Sequence, residues 1–203
     1  LTYDQKLKLD DLAERLIASE EPVTILIDGH EAEISEYLIK KLPNARVVMD
    51  GGSLRASNIK LAAWTDYFVV SEHFARDYMS YRSLSTEAEI KAALIELNKI
   101  CRGEAFITLG EKGCAFLKSG MLQIVPSWLC NAVDTTGAGD VFHGAFTYGV
   151  HYSWHIDNII LFASLTAAIS IEKKGVRESM PDLAVVHHSL NSYERNLKQY
   201  FEE

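Results

Sequence analysis

Short apolar runs alternate with helically spaced apolar residues through the first half of this chain, and that alternation leaves few folds open to it. VTILID (23–28), RVVMD (46–50), YFVVS (67–71) and AFITLG (105–110) each have the length and branched-residue content of a buried strand. Between them lie EAEISEYLIKKL, SNIKLAAW and TEAEIKAALIELNKIC, the last with Ile90, Leu94, Leu97 and Cys101 on one side. A first helix, Asp4 to Ala18, presents Leu9, Leu12, Ala13, Leu16 and Ile17 as its predicted apolar face. Strands separated by helices imply βαβ units, hence a parallel sheet covered on both faces. CAFLK and LQIVP follow AFITLG closely, divided by EKG and SG turns, and predict a local antiparallel hairpin. After Asp140 the pattern is almost wholly helical, with Pro181 as a boundary. The expected architecture is α/β: a three-layer αβα domain with a mostly parallel, doubly wound sheet, spanning residues 1–203 as one unit.

Charge and cysteine usage narrow the partners. A formal net charge of −8 over 203 residues argues against nucleic acid and anionic membranes, which attract basic surfaces. Cys101, Cys114 and Cys130 form no CxxC pair and fit reduced thiols, which with the charged opening LTYDQKLKLDDL predicts a cytoplasmic location. The most apolar run, NIILFASLTAAISI (158–171), is shorter than the roughly 20 residues that span a bilayer.

The chemistry concentrates in AVDTTGAGDVFHGAF (132–146). Ala132 and Val133 read as the end of an extended segment, Thr135 and Thr136 as a bend, and Val141 onward as a helix. Gly137, Ala138 and Gly139 make a poor helix opening but a good anion hole, because free N–H groups and the helix dipole attract negative charge. Asp140 at that hole is placed to take a proton from a hydroxyl attacking a bound phosphorus. An ordinary cap and turn are the structural alternative. GxGxxG fails because position 142 is Phe142, and no GxxxxGK[ST] run exists.

Asp134-Thr135-Thr136-Gly137-Ala138-Gly139-Asp140, followed by Phe142 and Gly144-Ala145-Phe146, closely resembles the C-terminal signature of the ribokinase-like (pfkB) carbohydrate kinases. ITLGEKGCAFL (107–117) resembles that family's nucleotide segment, and AAISIEKKGVRESMP (167–181) its closing helix and loop. The resemblance implies ATP-dependent phosphoryl transfer to a sugar-like hydroxyl, with ATP and Mg²⁺ as cofactors and a small sugar as partner. It implies Asp140 as the base, an anion hole at Gly137, Ala138 and Gly139, and nucleotide contacts at Thr108, Gly110 and Gly113. It also implies a K⁺-type cation site near Asp134, Thr136, Ser170, Gly175 and Ser179. The alternative for Asp134 is that it merely hydrogen-bonds its turn.

Two departures qualify the resemblance. The family's N-x-x-E stands here as Ser71-Glu72-His73-Phe74, where Glu72 is a shifted candidate for supporting Mg²⁺–phosphate. Adjacent strand residues would point Ser71 and Glu72 to opposite faces. VVMDGGSLR (47–55) resembles relatives with Asp-Gly-Gly-Ser at a strand end and reads as a strand exit. The chain also joins the family pattern midway. It begins at Leu1, and no lid strands or Gly-Gly motif precede Val23. The N-terminal strands and lid are therefore expected to be missing, together with a homodimer contact through that lid. A non-catalytic nucleotide-binding or regulatory member of the same fold is the competing expectation.

Overall fold

Six strands lie in the order in which the chain makes them: β1 (Thr24–Ile27), β2 (Arg46–Gly51), β3 (Tyr67–Ser71), β4 (Glu104–Thr108), β5 (Cys114–Lys118) and β6 (Met121–Val125). In this computed structural model, which describes residues 1–191, β1 to β4 are parallel and β5 and β6 turn back antiparallel. The hairpin predicted from the EKG and SG turns is this pair. Right-handed crossovers that always step the same way along a sheet place their helices on one face. Accordingly α2 (Ala32–Lys41), α3 (Ala56–Ala62), α4 (Glu72–Tyr78) and α5 (Glu87–Ile100) share a single core. There Ile39, Leu61, Phe74, Ile90 and Leu94 meet Val47, Met49, Phe68, Val70 and Ile107 of the sheet.

The opposite face carries Val48, Val69, Phe106 and Phe116, the alternate residues of the same strands. It is covered by α6 (Ala138–His151) and α7 (Ile156–Ser170), with Phe142, Phe146, Ile159, Ile160 and Phe162 buried against it. The layers are therefore helix, sheet, helix. Residues 183–191 add a final helical stretch whose Val186 joins the second core. Among the described residues no helix is long and apolar enough to cross a membrane.

Two local expectations are corrected. α1 (Tyr3–Ala18) forms, started by a reciprocal cap between Thr2 and Gln5, but its predicted face is too broad. Leu12 is 37 % and Ile17 61 % exposed, because α1 rests on α2 and the loop after it with a narrow stripe centred on buried Ala13. α4 was not expected as a helix. Ser71 accepts a bond from the Phe74 amide (3.0 Å), and that cap stops β3 and opens α4 at once.

Candidate active site

α6 runs the length of the sheet and is fixed at both ends. At its C-terminus the Arg46 guanidinium, from the start of β2, donates to the carbonyls of Val150 and His151. The Thr24 hydroxyl of β1 meets His151 Nδ1 at 3.3 Å. A cation at the negative end of a helix dipole is favourable, and here it anchors that end beside the strand starts. The N-terminus of α6 is consequently delivered to the strand C-termini, the edge where open α/β sheets hold ligands.

Gly137 supplies the turn into α6. Its φ of +75° is left-handed, and a Cβ there would lie 2.6 Å from Val176. The Ala138 amide donates to Thr135 O at 3.2 Å, so the turn itself uses one of the amides assigned to the anion hole. The Val141 amide returns to Gly137 O. Among the described residues no protein acceptor takes the Gly139 or Asp140 amide, and a Cβ on Gly139 would meet nothing within 4 Å. Two unpartnered donors on exposed residues at a helix N-terminus suit an anion. Asp140 is exposed in the same first turn.

The approach to this turn differs from expectation. Residues 126–137 form no strand, so Ala132 and Val133 do not end one. The Val133 and Asp134 amides instead donate to Ile171 O (2.7 and 3.1 Å), beyond α7. Asp134 completes that tie. Oδ1 accepts from the Thr136 amide (3.0 Å) and Oδ2 from the Gly175 amide (3.2 Å). Hydrogen bonds from Thr136, side chain and backbone, and then from Gly175 hold the Asp134 carboxyl below the ordinary aspartate range. Ser170 and Ser179 are buried in the same region, each hydroxyl donating to a carbonyl three residues back, Ala167 and Val176.

The neighbouring strand ends supply a wall. Thr108 ends β4 and its hydroxyl donates to Val70 O at 3.4 Å. Gly110 opens a 3₁₀ turn, and Gly113 (φ +101°) closes it with its amide on Gly110 O. Ser71 donates to Gly52 O (2.8 Å), which joins the end of β3 to the turn after β2. Glu72 is the first residue of α4 rather than a strand residue, so the alternation expected for it does not apply.

Two residues that the sequence reading passed over lie at the centre. Asp50, taken as a strand exit, shares the α6 face of β2 with Val48. His143, one turn into α6, is buried, and its Nδ1 lies 3.3 Å from Asp50 Oδ2. Burial pushes the Asp50 carboxyl above its ordinary range; the charge on His143 opposes this and that on Asp140 adds to it. The only local signal in the sequence was a polar residue at i+3 from Asp140, on a helix face otherwise made of Val141, Phe142, Ala145 and Phe146.

Residues 53–183 match the pfkB family carbohydrate kinases. The chain belongs to this family. A ribokinase from Lactococcus lactis is 29% identical over 189 residues, covering 93% of this chain and 60% of the relative. A deoxyribokinase from Salmonella typhi is 31% identical over 131 residues, 64% of this chain and 42% of the relative. The structure of Arabidopsis thaliana ribokinase complexed with ribose and ATP superposes with a TM-score of 0.73 at 20% identity, covering 93% of this chain and 59% of that one. Thermotoga maritima ribokinase gives 0.70 at 23%, over 83% and 57%. The chain thus spans about 60% or less of the length of these pfkB-family relatives, and their fold is its fold.

Proposed function

We infer that this chain is the nucleotide-binding and catalytic part of an ATP-dependent sugar kinase that transfers the γ-phosphoryl group to a substrate hydroxyl. The observation that carries the reading is the first turn of α6: two unpartnered amides, open space at Gly139 and an exposed carboxylate, all at the C-terminal edge of a parallel sheet. Asp140 takes the proton of the acceptor hydroxyl as that oxygen attacks. The turn Gly137-Ala138-Gly139 stabilises the charge on the transferred group, with the Gly139 and Asp140 amides as donors. Thr108, Gly110 and Gly113 line the nucleotide's side of the cleft, where the glycines allow close approach.

The chain's residues fit the ions that such a reaction uses. Mg²⁺ would neutralise phosphate charge, with Glu72 at the head of α4 as the supporting carboxylate. A monovalent cation would sit beside the loop that Asp134 ties to Gly175, held by that carboxylate and by oxygens near Thr136, Ser170, Gly175 and Ser179. Asp134 fits this role chiefly as the clamp that fixes the loop, since each of its oxygens already accepts an amide. Pentoses are the first acceptors to assay, because ribokinases and a deoxyribokinase are among the relatives.

The test is Asp140→Asn in the full-length protein, assayed with Mg-ATP and a sugar panel headed by ribose and 2-deoxyribose, in matched K⁺ and Na⁺ buffers. Loss of a positioned base is expected to lower kcat by about 10² or more with nucleotide affinity little changed. The rate is expected to be higher in K⁺. Near-parental turnover by the variant would remove Asp140 from the role of base.

A further inference from the structure

His143 is only 3% exposed, yet every polar group around its ring is an acceptor. Nδ1 lies 2.6 Å from Gly139 O and 3.3 Å from Asp50 Oδ2, and Nε2 lies 3.1 Å from Val69 O. A neutral imidazole donates from one nitrogen and presents a lone pair at the other. In this setting that lone pair would face a carbonyl oxygen or a carboxylate with no proton between them. With Asp50 ionised, only the ring protonated at both nitrogens satisfies both sides. A buried cation is costly without a counter-charge, and Asp50 supplies one across the pair.

We propose that His143 is a positioning residue for Asp140: a buried imidazolium that pins the first turn of α6 to β2 and β3 and cancels the charge of Asp50 beside the base. The pinning is direct. Gly139 O belongs to the residue before Asp140, Asp50 is on β2 and Val69 is on β3. The cancellation follows from what else faces the pair. Asp50 stands on β2, Asp28 at the end of β1 and Asp140 on α6 itself, while β3 offers the Val69 carbonyl. All three carboxylates carry the same sign. Without a cation among them, Asp50 and Asp140 would compete to stay ionised.

The catalytic consequence rests on the kinase reading, so the test has one arm that does not. In the full-length protein labelled with ¹⁵N-histidine, long-range ¹H–¹⁵N spectra at neutral pH are expected to show both His143 ring nitrogens protonated. In Asp50→Asn the ring is expected to lose its second proton within the neutral range. A neutral ring in the parent, or a ring indifferent to Asp50→Asn, overturns the proposal whether or not the protein is a kinase. The second arm follows sugar-dependent ADP release from Mg-ATP against pH. His143→Gln, a neutral donor, is expected to move the acid limb of kcat/KM up by about one pH unit. Asp50→Asn combined with His143→Gln is expected to bring that limb back, since the competing charge is gone. A purely structural role for His143 would leave the double variant as displaced as the single one, and that result would also overturn the proposal. Absence of turnover in the parent protein would count against the kinase reading alone, and the spectra would still decide the state of His143.

Discussion

A Cβ added to Gly113 would lie 1.9 Å from the Val125 carbonyl oxygen, at a φ of +101° that side chains resist, whereas one added to Gly139 would enter open space. The two glycines of the cleft therefore separate stability from binding. Gly113→Ala is expected to lower stability by about 1–3 kcal/mol from backbone strain, with the clash adding to it. Gly139→Ala is expected to leave the melting temperature unchanged while weakening Mg-ATP binding by roughly tenfold, equivalent to about 1.4 kcal/mol. Calorimetry and thermal melts on the same samples check both. Asp134 makes a prediction in pH. Its folded value is lowered, so its stabilisation is complete above the unfolded value, near 3.8, and is lost as pH falls through the lower folded value. Asp134→Ala is expected to melt below the parent at neutral pH, and the gap is expected to close as the solution is acidified beneath the carboxylate range.

Among the elements, α6 carries the most. It packs against α7 and against β1 and β2, and its register along the sheet sets where Asp140 stands. Arg46 holds the far end of that helix through the Val150 and His151 carbonyls. Hydrogen bonds from a charged donor to part-buried carbonyls contribute about 1.5–3 kcal/mol, so Arg46→Ala is expected to cost an amount in that range. Denaturant unfolding measures it. Because the other end of α6 is pinned separately by His143, hydrogen exchange in Arg46→Ala is expected to accelerate first at the last turn, near His151.

For the molecule as a whole, the two sheet edges differ. Among the described residues, β6 is the second strand of a hairpin with no strand beyond it, while β1 is a parallel strand paired only with β2. Leu26 on β1 is 43% exposed, on the sheet face it shares with its register partner Val48. An unpaired strand edge with an exposed apolar residue is a template for association. The 203-residue chain studied by itself is therefore expected to self-associate, and Leu26→Lys to reduce that association. Light scattering at matched concentration decides between this and an inert edge.

Much of this was legible in the amino-acid order because it is governed by neighbours. The strand runs 46–50 and 67–71, the hairpin turns and the helix of Ile90 and Leu94 are set by period and turn chemistry within a few residues. The Asp134-to-Asp140 run marked the turn into α6, where the Gly139 and Asp140 amides take no protein acceptor among the described residues. The sequence misled where packing outweighed period: Leu12 and Ile17 continue an apolar stripe on α1, but only a narrow neighbour is there to cover it. Ser71 looked like a broken motif, and its side chain proved to be a cap and a tie to Gly52. Tertiary structure alone decided the centre of the site. His143 and Asp50 are 93 positions apart in the chain, and Arg46 reaches Val150 across 104. No local period encodes such meetings. They arise because α6 folds back over the face of strands laid down far earlier, and that packing buries a histidine against a strand-end aspartate beside the proposed base.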